Sequence, residues 1–134
     1  MPYKYLEHKA DLLIEASGKD FLEALEWAAK GMADAIAKVG EKDPFEIERE
    51  AGSLEDLVVE TLAGLLSESE VLEIPFSKFK VKRFEKRGGR FKLTGVAYGE
   101  KDAPKKGTVK AVTYHELMVK EEKGKATIRV LLDV

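Results

Sequence analysis

The side chains able to do chemistry in this sequence are few. Imidazole comes only from His8 and His115, and there is no cysteine. Disulfides, thiolate zinc sites and cysteine nucleophiles are therefore excluded. With so little imidazole, the histidine-rich patterns of zinc enzymes cannot be assembled. No GxSxG, Walker or GxGxxG pattern occurs. The Gly88-Gly89 pair is followed by a strand-like run, whereas a phosphate cradle is followed by a helix, so the pair reads as a turn.

Two aspartates are more informative. Asp11 sits beside His8 in the polar break His8-Lys9-Ala10-Asp11, and Asp133 interrupts the apolar run Val130-Leu131-Leu132 one residue before Val134. Asp133 thus carries a carboxylate into a strand that reads as buried, where a charge needs a partner. With Asp11 beside it, two side-chain carboxylates and the terminal carboxylate or carbonyl of Val134 make an all-oxygen set. Such a set suits Ca²⁺, with Mg²⁺ or Mn²⁺ as alternatives. Taken singly, the same residues have plainer readings: Asp11 as a turn cap, Asp133 as a solvated terminus, His8 and His115 as hydrogen-bonded structural histidines. Glu100, Lys105, Lys106 and Lys110 read as surface charges.

The elements that must position these groups follow from periodicity. Tyr3 to Glu7 and Leu12 to Ser17 read as extended pieces on either side of the break, with Asp11 at a strand boundary. Asp20 caps a helix with Glu23 at capping-box spacing. Leu22, Leu25, Ala29, Met32 and Ile36 give that helix an apolar stripe, and Gly40 is the expected stop. Phe45, Ile47 and Arg49 alternate with glutamates, as in a strand near a sheet edge. Ser53 opens a second helix, with Asp56 in its first turn and Leu54, Leu57, Val58, Thr61, Leu62, Leu65 and Leu66 at helical spacing. Phe79–Lys86 and Phe91–Tyr98 form a hairpin about Gly88-Gly89. Val109–Lys120 and Ala126–Val134 form another about Gly124. The polar stretch Gly99–Gly107 is the expected mobile loop. The predicted fold is α+β in two layers: a mixed, mostly antiparallel sheet with both helices on one face.

Bulk properties fit one domain spanning residues 1–134. The chain has four prolines, 44% hydrophobic and 36% charged residues, enough for a core inside a dense charged surface. A formal net charge of −2 gives no overall pull toward nucleic acid or anionic membrane, so any RNA contact must be local. The opening MPYKYLEHKADLLIEA carries acids where a secretory signal needs apolar residues, and no later run is long enough to span a bilayer. The expectation is a soluble, cytoplasmic protein.

Three separated blocks carry a family resemblance. Glu7-His8-Lys9-Ala10-Asp11 resembles the E-H-T-A-D opening of archeases, Val109 to Leu117 (VKAVTYHEL) resembles their V-K-A-x-T-Y-H-x-L block, and Leu132-Asp133-Val134 resembles their ending. Leu22-Glu23-Ala24 fits the first helix of that family, so the similarity spans the chain. The resemblance implies an α+β fold with a divalent metal held by Asp11, Asp133 and Val134. It also implies a non-enzymatic activator of the RtcB-type RNA ligase, which joins cleaved tRNA exons using GTP and manganese. The activator promotes ligase guanylylation and multiple turnover, and broadens nucleotide use. The alternative it implies is a chaperone-like modulator of a tRNA methyltransferase or other RNA-processing protein, for which the basic hairpin Lys78, Lys80, Lys82, Arg83, Lys86, Arg87 and Arg90 is the candidate surface. Lys9 stands where the family usually has threonine, Leu13 where glycine is common, and Gly99–Gly107 lacks the histidine that many members carry.

Overall fold

A computed structural model describes residues 2–134. The chain runs β1 (Tyr3–Leu6), β2 (Leu12–Gly18), α1 (Phe21–Ile36), β3 (Asp43–Ala51), α2 (Leu54–Leu72), β4 (Phe76–Arg87), β5 (Arg90–Gly99), β6 (Ala111–Glu122) and β7 (Lys125–Asp133). The α+β class is as expected, but the strands divide into two sheets, ordered β1-β2-β7-β6 and β3-β5-β4. Every pairing among the described residues is antiparallel. Sequence patterning had suggested one mixed sheet with both helices on one face. The helices explain the difference. In α1 Ala24, Leu25, Ala28, Ala29, Met32 and Ala33 are all buried, a wider arc than the single stripe of a surface helix, so cover is needed on more than one side. α1 packs on β1, β2 and β7 of one sheet and on β4 of the other, while α2 packs on β3 and β6.

Local signals set most element ends. The Asp20 carboxylate accepts the Glu23 N–H at 2.9 Å, and the Glu23 side chain reaches back to the Lys19 N–H. Ser53 Oγ accepts the Asp56 N–H at 3.0 Å in the same way. A polar oxygen satisfying an otherwise orphaned helix donor is worth about 1 kcal/mol. Gly88, Gly89 and Gly124 have φ of 58°, 75° and 77°, as the two hairpin turns require. Strand β3 is an edge strand with Phe45 and Ile47 buried, as its alternation implies.

Two expectations fail because tertiary contacts intervene. Helix α1 ends at Ile36, with extended Ala37 as its cap, four residues before Gly40. The Ile36 carbonyl accepts the N–H groups of Lys106 and Gly107, so a distant loop terminates the helix and no left-handed glycine is needed. That loop is Gly99–Gly107, expected to be mobile. It is pinned along its length: Glu100 and Asp102 donate to the Pro75 and Glu73 carbonyls, and Lys101 reaches Asp43 and the Leu72 carbonyl. Glu100, for its part, accepts the Gly40 N–H.

Candidate metal centre

The site is assembled by the end of the β1-β2-β7-β6 sheet. After β1 the chain turns through residues 7–11, with Ala10 at φ 56° and the Asp11 N–H donating to the Lys9 carbonyl at 2.6 Å. Strand β2 then pairs with β7 from Leu12 opposite Leu132. Asp11 precedes the first residue of that pairing and Asp133 follows the last, so both lie at the same end of the sheet.

Asp133 closes β7 opposite Ala111 of β6, and its carbonyl accepts the Lys110 N–H at 2.7 Å. Val130, Leu131 and Leu132 are buried, but Asp133 is exposed at the rim, so the carboxylate leaves the core where the sequence had suggested it enters. This costs no desolvation and leaves the oxygens open to an ion. Val134 is also exposed. The beginning of β1 does not join this cluster: Tyr3 lies opposite Ala16, about 13 Å along the strand from Leu12. The residues just before β2, and not the start of β1, lie at the sheet end where β7 finishes.

The third block brings more than its sequence announced. His8 Nε2 lies 2.6 Å from Glu116 Oε2, while His8 Nδ1 lies 3.2 Å from the Lys9 carbonyl and 3.9 Å from Asp11 Oδ2. Each ring nitrogen of His8 thus faces an oxygen. The Lys9 carbonyl first, and then the Glu116 carboxylate, raise its pKa above the ordinary histidine value. The His115 ring stands edge-on to His8, centroids 6.5 Å apart. The partner of His8 is 108 residues away in the chain.

An irregularity in β6 makes this possible. Between Thr113 and Met118 five steps along β6 answer two along β7, and Glu116 sits at φ 56°. In a regular strand His115 and Glu116 would point to opposite faces. The bulge aims both toward the loop of residues 7–11, at a backbone cost of about 1 kcal/mol for left-handed Glu116. The one sequence signal was the run Tyr114-His115-Glu116, exposed throughout, which breaks the period of two.

Elsewhere the candidates weaken. In the basic hairpin, Lys78 pairs with Glu41, Lys80 with Glu26, Arg83 with Glu85 and Arg90 with Glu50, while Lys82 and Lys86 lie over the Tyr98 and Phe91 rings. Paired cations offer less to phosphate than their number suggests. A groove of about 320 Å³ between α1 and β4, lined by Trp27, Lys30, Glu41, Lys78 and others, shares no residue with this candidate site. No helix among the described residues is long and apolar enough to cross a membrane.

Comparison with known proteins identifies the family. The profile of the archease protein family matches residues 3–134. The chain is 36% identical over 140 residues to protein archease of Methanosarcina mazei, covering 98% of this chain and 95% of that one. It is 36% identical over 124 residues to protein archease of Pyrococcus furiosus, covering 87% of each. The solution structure of Methanobacterium thermoautotrophicum protein 1598 superposes with a TM-score of 0.86 at 30% identity, covering 99% of both chains. A crystal structure of an archease from Thermotoga maritima, described as a possible chaperone, superposes with a TM-score of 0.62 at 25% identity, covering 98% of this chain and 96% of that one. With its profile matched from β1 to the last residue, the chain belongs to the archease protein family.

Proposed function

We propose that this protein is a non-enzymatic activator of the RtcB-type tRNA-splicing RNA ligase, promoting its guanylylation and multiple turnover, with a hard divalent cation held by Asp11, Asp133 and Val134. The observation that carries the reading is the β2–β7 register. It brings the opening block and the C-terminal block to one sheet end, and the third block reaches the same end through β6. The donors are all oxygen and lie at an exposed rim, which fits Ca²⁺, with Mg²⁺ or Mn²⁺ as alternatives. An ion there supplies positive charge to phosphate oxygens of a docked partner. The chain's own part is to hold one carboxylate in the turn just before β2 and the other at the end of β7.

The protein works in the cytoplasm beside its ligase and has no nucleotide chemistry of its own, since it carries no phosphate-cradling loop and no activated nucleophile. A guanylylation assay of the ligase with GTP and manganese, with and without this protein, tests the reading. Faster guanylylation and more than one turnover per ligase are expected, and no change in either would overturn it. GTP turnover by the purified protein alone at an enzyme-like rate would overturn the non-enzymatic part. The description of the Thermotoga maritima relative as a possible chaperone favours a second reading, a chaperone-like modulator of a tRNA methyltransferase or another RNA-processing protein. It predicts stabilisation of that partner with no effect on the ligase.

A further inference from the structure

The His8–Glu116 contact and the neighbouring His115 do not belong to the all-oxygen centre. One imidazole nitrogen from each of His8 and His115 and one carboxylate oxygen of Glu116 lie within 4.8 Å of one another. They are the only two histidines of the chain, contributed by a loop and a strand more than a hundred residues apart. The β6 bulge with left-handed Glu116 is what lets two successive strand residues face the same imidazole. A run that served only to keep a hairpin paired would have no use for that distortion.

We propose that His8, His115 and Glu116 form a second ion site, separate from Asp11, Asp133 and Val134, that binds a borderline divalent ion of the zinc class. Two imidazoles and one carboxylate are the donors such ions prefer, whereas Ca²⁺ and Mg²⁺ favour oxygen alone. His8 Nδ1 faces the Lys9 carbonyl, the hydrogen bond that ordinarily fixes the tautomer of a ligating histidine and leaves Nε2 for the metal. Nε2 and Glu116 Oε2 are now 2.6 Å apart, at hydrogen-bond distance. Two ligands of a tetrahedral zinc ion stand about 3.3 Å apart, so the ion replaces that contact and the exposed Glu116 side chain swings out by a fraction of an ångström. Three protein ligands leave a position for water or for a group of a docked partner. The sequence excludes the motifs of a zinc enzyme, and this site is one of binding.

The test uses the whole protein saturated with Ca²⁺, so that the oxygen centre is filled, and Co²⁺ as a spectroscopic probe. Visible absorption and equilibrium dialysis should report one Co²⁺ per chain, displaced by Zn²⁺. His115→Gln and Glu116→Gln should each weaken Co²⁺ at least tenfold, while Asp133→Ala should leave it within twofold. Circular dichroism of each variant checks the fold, and the isosteric change at exposed Glu116 keeps the test open if His115→Gln does not fold. Absence of Co²⁺ binding under saturating Ca²⁺, wild-type affinity in Glu116→Gln, or equal losses in Asp133→Ala and Glu116→Gln would overturn the assignment. No ligase enters the measurement, so failure of the proposed function leaves its outcome untouched.

Discussion

Asp133→Ala separates a metal ligand from a structural charge. The residue is exposed, and its ladder contacts, to Ala111 and to the Lys110 N–H, are made by the backbone, so alanine keeps them. In chelator the substitution should change stability by no more than about 0.5 kcal/mol. Taking away one of two like charges at the same sheet end relieves a water-screened repulsion of at most about 1 kcal/mol, so a small gain is the natural sign. With Ca²⁺ at a hundred times the wild-type Kd, binding adds about 2.7 kcal/mol to the native protein. A tenfold weaker site adds about 1.4 kcal/mol. For a chain of this length the difference is about 4–6 °C in Tm. Thermal melts with Ca²⁺ and with chelator, paired with ligase guanylylation at limiting metal, read both sides. An undiminished Ca²⁺ shift in the variant, or normal activation at limiting metal, would return Asp133 to a solvated strand end.

Glu15 accepts from Arg129 Nε at 2.7 Å, and the guanidinium first, then Lys4, hold its carboxyl below the usual carboxylate range. A lowered folded pKa stabilises above the unfolded value of about 4.3 and is lost as pH falls through the folded one. Glu15→Gln should therefore lower the unfolding free energy at pH 7 by under about 1 kcal/mol, with the two proteins converging in acid; a gap that persists at pH 2 contradicts the assignment. In Gly99→Ala the new Cβ would meet the Pro75 carbonyl oxygen at 2.1 Å and Phe76 Cα at 2.8 Å, backbone that cannot swing aside. A loss of about 2–3 kcal/mol in urea unfolding is expected, and an unchanged midpoint would refute the close approach. Asp20→Ala should cost about 1 kcal/mol by removing the cap of α1, measured the same way.

Much of the architecture is written in short-range chemistry. The caps at Asp20 and Ser53, the glycine turns at 88–89 and 124 and the alternation of Phe45, Ile47 and Arg49 each act within a few residues, through one hydrogen bond, one φ or one face. The sequence itself therefore determines where both helices begin, where both hairpins turn and that Asp11 stands at a strand boundary. The blocks around Asp11, His115 and Asp133 were likewise readable as the family's. Their juxtaposition depended on tertiary structure. The β2–β7 pairing joins residues more than a hundred apart, and its register answers to burial of Ile14, Ala16, Ile128 and Val130 in a core shared with α1, which no local window contains. Tertiary hydrogen bonds also overrode two local readings, ending α1 at Ile36 and fixing the Gly99–Gly107 loop. The union of His8 with Glu116 is the clearest case: it needs a strand bulge, a left-handed glutamate and a turn after β1 to meet, and those three are brought together only when the sheet closes.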